Sequence, residues 1–289
     1  MNNKQKWKVI AVAIVAGALS LPGHAQSVLT PTWLQWLGDG TNSYNCASGT
    51  CNVTGELWVT SFNLSAGATL TNIGGNAALI VRSTGACTID GNIVANGNIT
   101  GGGVIGNGDF GGGGGGGGGG VIAGSQGRNT TVIPNIPLVN GGPGGAAGGG
   151  AGQNGVTPFL TQYQPFISSG SSWPGGGALG GPGGASGLAL TNGGLGGRGG
   201  TPILFICQSL EFSGSIDVSG GTGANATMAN TGAGGGGGAG YVLFAAVSYG
   251  NMSGTINLNG GVGGTCNGVA GCGAGGNGGS GWSTRITIE

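Results

Sequence analysis

Ile203-Leu204-Phe205-Ile206, then Phe212-Ser213-Gly214-Ser215-Ile216-Asp217-Val218, then a glycine-rich run to Gly238: this order of apolar stretch, alternating stretch and glycines decides how the chain reads. It occurs three times. Tyr241-Val242-Leu243-Phe244 leads to Met252-Ser253-Gly254-Thr255-Ile256-Asn257-Leu258 and on to glycines up to Gly281. Earlier, Ala78-Leu79-Ile80-Val81 leads to Ile89-Asp90-Gly91-Asn92-Ile93 and to glycines up to Gly120. Trp282-Ser283-Thr284-Arg285-Ile286-Thr287-Ile288-Glu289 starts a fourth copy. A unit that recurs like this marks a stacked architecture, because one unit alone cannot bury its apolar face. The first segment is apolar enough to be covered on both faces. The second alternates, so Ile216 and Val218, or Ile256 and Leu258, point the same way. The expected fold is all-β: a β-solenoid of parallel β-helix character, with essentially no α-helix in the mature chain that follows the first 25 residues.

Between the strand pairs the glycines fall into triplets. Asn192-Gly-Gly-Leu195-Gly-Gly-Arg198, Asn259-Gly-Gly-Val262-Gly-Gly-Thr265 and Ala274-Gly-Gly-Asn277-Gly-Gly-Ser280 repeat every third residue, and Gly111 to Gly120 is unbroken glycine. A period of three suits the extended left-handed polyproline II helix, which makes no internal hydrogen bonds. Its bare backbone must then find partners if buried, and neighbouring glycine helices supply them, with Cα–H···O contacts in addition. The tracts are therefore expected to pack as a bundle of polyglycine helices. Collagen is a poor match, since it needs one glycine in three without interruption. A disordered linker is the common fate of glycine-rich chain, but here strand-like segments hold both ends of each tract.

The first 25 residues read as a secretory signal: Lys4, Lys6 and Lys8, an apolar run from Val9 to Leu21, and Gly23-His24-Ala25 before the cleavage point. The apolar run is too short to span a membrane, and no other long apolar stretch follows. Residues 26–50 form a leader carrying Trp33, Leu34, Trp36 and Leu37, suited either to capping a β-stack within the molecule or to docking on a neighbouring one. Residues 51–289 read as a single domain, with 121–201 as a long glycine- and proline-rich insertion. Its pieces Thr131 to Leu138 and Phe159 to Ile167 contain prolines and read as extended. Short strand-like pieces, from Leu57-Trp58-Val59 through Phe62-Asn63-Leu64 to Cys87-Thr88-Ile89, open the domain.

Six cysteines in a secreted chain imply disulfides. They allow 15 pairings. Sequence proximity favours Cys46 with Cys51 and Cys266 with Cys272, which leaves Cys87 with Cys207. With the signal removed, four arginines remain against seven acids, a balance of 4 − 7 = −3. That opposes nucleic-acid binding, and so sparse a charge favours self-association or contact with a neutral or sugar surface.

The triplets Ala274-Gly-Gly-Asn277-Gly-Gly-Ser280 and Asn192-Gly-Gly-Leu195-Gly-Gly-Arg198 resemble those of polyglycine-II proteins: phage receptor-binding tip adhesins, a springtail antifreeze protein and mycobacterial glycine-rich surface proteins. The strand-and-glycine units also resemble bacterial secreted proteins of parallel β-helix character. The resemblance spans about two thirds of the chain. It implies a fold type and a bacterial extracellular or cell-surface setting, and no recognition loop of those families maps onto this sequence.

Enzyme chemistry finds few residues. The only histidine, His24, and all three lysines lie in the signal, so Ser-His-Asp, Schiff-base and Walker-type phosphate sites are excluded. No zinc ligand set or other cofactor site is apparent. Asp90 and Asp217 are the one candidate carboxylate pair, and a structural role suits both better. Three readings stand: a self-assembling subunit of an extracellular filament or matrix, an adhesin for sugar or protein, and an ice-binding protein. Thr201, Thr222 and Thr265 are too scattered to form an evident ice-binding row. The expected assembly interface comprises Trp33, Leu34, Trp36 and Leu37 with Trp282, Ile286 and Ile288, so that the last strand of one copy meets the leader or first strands of the next.

Overall fold

The computed structural model describes residues 37, 40–53, 55–71, 79–97, 123–124, 126, 151–153 and 193–288. The signal segment, Trp33, Leu34, Trp36, the run Gly111 to Gly120 and nearly all of the insertion lie outside the described residues. What is described is nearly all β, and every strand pairing is parallel.

Among the described residues, twelve strands form two sheets. The seven-stranded sheet runs β1 (Tyr44–Cys46), β4 (Phe62–Leu64), β6 (Leu79–Ile89), β8 (Ile203–Phe212), β10 (Tyr241–Tyr249) and β12 (Trp282–Thr287), with β3 (Glu56–Val59) also on β6. The five-stranded sheet runs β2 (Gly49–Asn52), β5 (Ala68–Thr71), β7 (Asn92–Val94), β9 (Ser215–Asp217) and β11 (Thr255–Asn257). The repeat seen in the sequence sets the register. Leu79 pairs with Ile203 and Ile203 with Val242, so equivalent residues of successive units lie side by side.

The strand boundaries differ from those expected. Leu79 to Val81 and Cys87 to Ile89 belong to one strand, β6, with a register irregularity between Ser83 and Ala86. Likewise β8 continues from Ile203 through to Phe212, and the break falls at Ser213-Gly214. A Cβ on Gly214 would lie 1.9 Å from the Gly91 carbonyl oxygen, so the chain turns where the neighbouring corner allows no side chain. The sheets also begin earlier than residue 51, since β1 and β2 start at Tyr44 and Gly49.

The core lies between the sheets. Val81, Phe205 and Phe244 share one register column and pack with Leu70, Ile93 and Ile216 from the second sheet. Phe205 and Phe244 stack at 6.1 Å between ring centroids, and Phe212 meets Phe244 at 5.4 Å. The first five residues of β8 are all buried, so that strand is covered on both faces, as its apolar run predicts. Its outward side chains join two smaller clusters. Leu204 packs with Ile80, Tyr241 and Leu243, and Ile206 packs with Leu37, Ala245 and Ile288.

Between strands the glycine tracts extend and return. Five are described: 193–201, 218–226, 231–240, 258–265 and 273–281. They bond in threes. The N–H groups of Gly194, Gly197 and Gly200 donate to the carbonyls of Gly232, Gly235 and Gly238. Ala233, Gly236 and Ala239 donate in turn to Gly273, Gly276 and Gly279. These first, third and fifth tracts are parallel. The second and fourth lie against them running the opposite way: Gly234 and Gly237 donate to Ala224 and Gly221, while Gly261 and Gly264 donate to Gly237 and Gly234. The donor–acceptor distances lie between 2.7 and 3.0 Å. Every residue of the third tract is buried.

Glycine is required here by close approach. A Cβ on Gly237 would lie 1.9 Å from the Arg198 carbonyl oxygen, and one on Gly278 would lie 1.9 Å from that of Gly237. The array does not support itself energetically. Ordering each backbone residue costs roughly 1–2 kcal/mol, while a hydrogen bond returns about 1 kcal/mol net. The strand core at both ends of each tract supplies the difference.

The three disulfides are those the spacing favoured: Cys46–Cys51, Cys87–Cys207 and Cys266–Cys272. The first joins β1 to β2. The second joins neighbouring strands β6 and β8 across the insertion. The third closes the turn between the fourth and fifth tracts, where Asn267 and Gly268 take φ of 47° and 78°.

Candidate interaction surfaces

Among the described residues, two sheet ends, one polar sheet face and one apolar seat have the means to meet another molecule. Among the described residues, β11 and β12 each bond to a strand on one side only, and so do β1, β2 and β3 at the opposite end. On β12 the residues opposite Val242, Phe244 and Ala246 are Ser283, Arg285 and Thr287. All three are exposed. The last strand thus carries polar groups in the columns that earlier strands fill with core, and Arg285 Nη2 donates to the Met252 carbonyl at 3.3 Å. An inward charge of this kind raises the cost of indiscriminate edge pairing.

Of the expected assembly residues, Trp282 stacks on Tyr241 at 5.2 Å with the rings 9° apart. Ile286 packs against both outward clusters. Leu37 and Ile288 are 1% and 3% exposed and share one cluster with Ile206 and Ala245. These two residues, expected to meet across two molecules, are thus packed in one cluster within a single chain. The reason is the apolar outer face of β8 and β10, which water would otherwise reach at Ile206 and Ala245.

Tyr249 ties this region together. Its hydroxyl lies 2.6 Å from the Ile286 carbonyl and 2.9 Å from that of Phe244. Burial pushes its phenol above the ordinary range. At the other end, Arg82 is buried beneath Trp58 at 5.3 Å from the ring centroid and ion-pairs with Glu56. Trp58 itself is 43% exposed.

The outer face of the five-stranded sheet is polar and regular. One register column reads Thr50, Thr69, Asn92, Ser215 and Thr255. The next outward column reads Asn52, Thr71, Val94, Asp217 and Asn257. Parallel strands place such residues about 4.8 Å apart. Side chains bond along the columns: Ser215 Oγ to Asn92 Oδ1 at 2.7 Å, Thr71 Oγ1 to Asn52 Oδ1 at 2.7 Å, and Asn257 Nδ2 to Asp217 Oδ1 at 3.0 Å. Thr201, Thr222 and Thr265 take no part in this ladder. Its members come from five separate strands and only the register aligns them.

Asp90 and Asp217 have separate surroundings. Asp90 accepts from Ser213 Oγ at 2.5 Å. Asp217 accepts from Asn96 Nδ2 at 2.6 Å, from Asn257 Nδ2 and from the Ser219 N–H. Their partners differ, and each ties its own corner of the sheet to a neighbour. Among the described residues, no group of three or more His, Cys, Asp or Glu stands close enough to hold a metal ion, and no helix is long and apolar enough to cross a membrane. Three disulfides with no free cysteine are consistent with an extracellular protein.

No family model, curated protein or solved structure matches this chain.

Proposed function

We propose that the chain is a secreted, non-enzymatic structural subunit that associates end to end with copies of itself. In this reading it is a parallel β-solenoid whose excursions form a polyglycine-II bundle. The observation that carries it is that, among the described residues, both parallel sheets end at the same two ends on strands bonded on one side only. Unpaired strand edges are templates for another chain. Stacked head to tail, β12 of one copy continues onto β3 and β1 of the next, and β11 onto β2. Because Leu37 is already seated in its own chain, the first strands rather than the leader are the partner of β12. The Ser283, Arg285 and Thr287 row then selects for a matching end.

The test is negative-stain electron microscopy of Ser283→Lys/Thr287→Lys beside the unaltered protein. Both side chains are exposed, so the fold should survive, and added edge lysines oppose pairing. Filaments in the unaltered protein that disappear in the variant, with an unchanged circular dichroism spectrum, are expected. Compact monomers in both samples would sink the proposal.

The polar ladder favours a second reading: a surface-binding protein, whether an adhesin for glycans or an ice-binding protein. Thr69→Tyr/Ser215→Tyr would place bulk in the middle of that face. This reading expects the unaltered protein to retain insoluble polysaccharide or to show thermal hysteresis, and the variant to lose that property. Equal behaviour of the two proteins would dismiss it.

A further inference from the structure

The first, third and fifth glycine tracts form one layer, and the second and fourth form another against it. Gly197 and Gly236 hold the same place in the first and third tracts, since each donates its N–H to the next tract of its layer, at Gly235 and Gly276. Each also faces the other layer. A Cβ on Gly197 would lie 2.0 Å from the Gly221 carbonyl oxygen of the second tract, and one on Gly236 would lie 2.0 Å from that of Gly261 in the fourth. The missing side chains leave the room that those tracts fill. Asp217 pairs with Asn257, so Gly221 corresponds to Gly261 and Gly223 to Gly263. Gly237 donates to Gly221 and Gly278 to Gly261, so these two correspond as well. The counterpart of Gly236 in the fifth tract is therefore Asn277, which is exposed.

The second tract donates from Gly220, Gly223 and Ala226 to the fourth tract's carbonyls at Asn259, Val262 and Thr265. In the fourth tract the N–H equivalent to that of Gly223 belongs to Gly263. It donates to Asn277 Oδ1 at 2.9 Å. The asparagine thus stands where a further tract of that layer would run, and its oxygen accepts the bond that such a tract's carbonyl would take. We propose that Asn277 is a stop residue, which closes the edge of the glycine array against a glycine tract of a second copy of this chain. Stacked glycine tracts have no end of their own, because each presents backbone N–H and carbonyl groups to the next, and an open row of such groups is a template for another chain. One side chain closes the row at the place where glycine elsewhere opens it. The proposal concerns the glycine array alone and goes beyond the end-to-end reading, which uses the strand edges.

The test is sedimentation equilibrium of Asn277→Gly in the Ser283→Lys/Thr287→Lys background, where pairing of strand edges is opposed. Two like edges meet symmetrically, so association is expected to stop at a dimer, and the measured mass to double in Asn277→Gly. Asn277→Asp keeps both the bulk and an acceptor oxygen, and it is expected to remain a monomer. A monomeric Asn277→Gly with an unchanged circular dichroism spectrum and all three disulfides would overturn the proposal. Filaments that persist in the background would count against the end-to-end reading instead. Lateral pairing would then be read as a doubled filament width in Asn277→Gly alone, and an unchanged width would overturn the stop role.

Asn277→Ala covers the case in which the glycine variant does not fold. Its Cβ still stands in the path of a further tract, so it is expected to stay monomeric. The Gly263 amide loses its acceptor, and its hydrogen is expected to exchange several-fold faster than in the unaltered protein. Equal exchange at Gly263 in the two proteins would show that Asn277 does not close this edge.

Discussion

Gly237→Ala is expected to lower the stability of the protein by about 3 kcal/mol, the upper part of the range for forcing atoms into a packed interior. The added Cβ would lie 1.9 Å from the Arg198 carbonyl oxygen and 2.4 Å from its carbon. Both are backbone atoms of the first tract, so no side chain can swing aside. Gly237 also stands in the central tract, whose N–H bonds to Gly221 and whose carbonyl accepts from Gly261. Displacing it disturbs tracts on both sides. For a domain of this size the loss corresponds to a fall of about 10 °C in melting temperature, measurable by scanning calorimetry. Leu195→Ala is the control: Leu195 is 73% exposed, and its loss should cost no more than about 0.5 kcal/mol. Equal melting temperatures for the two variants would mean that the tracts are not packed against each other.

Removing the Cys87–Cys207 disulfide as Cys87→Ala/Cys207→Ala should have the largest effect of all. The two residues are 120 apart in sequence, and closing a loop of that length restricts the unfolded chain by about 5 kcal/mol on the chain-entropy account. The loop contains the whole insertion, so without the bond β6 and β8 must find each other across it unaided. Cys46–Cys51 and Cys266–Cys272 close loops of separation 5 and 6, for which the same account gives about 2 kcal/mol each. Urea denaturation of the three double-alanine variants should place the Cys87/Cys207 variant well below the other two. A Cys87/Cys207 variant no less stable than the Cys266/Cys272 variant would show that the insertion does not behave as a free loop in the unfolded chain.

The repeat was legible because burial leaves a periodic trace. Ile203 to Ile206 and Tyr241 to Phe244 must be apolar on both faces, and Ile216 and Ile256 must alternate with polar neighbours, whatever the details of stacking. The strand ends were less legible. Gln208, Ser209 and Glu211 look like the end of an apolar strand, yet β8 runs on, because its second half is open to solvent on one face and needs apolar residues only at Leu210 and Phe212. The candidate surfaces were divided in the same way. Trp282 and Ile286 announce themselves as apolar residues on a terminal strand. The ladder from Thr50 to Thr255 does not, since five different strands contribute to it and no two neighbours in the column are close in sequence.

By itself the sequence pointed to the parallel all-β character, to the two local disulfides that leave Cys87 for Cys207, and to the need for glycine in the period-three tracts. Each of these follows from local chemistry: alternation, proximity of cysteines and the absence of a Cβ. Only the tertiary structure decided which tract lies beside which, where Leu37 packs, and that hydroxyl and amide side chains align on one face. A glycine tract carries few side chains to specify its neighbour, Asn277 Oδ1 accepting from the Gly263 N–H being one, so its partners are chosen chiefly by the strands at its two ends. Leu37 is apolar enough to suit either an intramolecular seat or an interface, and the uncovered face at Ile206 and Ala245 settles its place. The ladder arises from register, which belongs to pairs of strands and to no single stretch of chain.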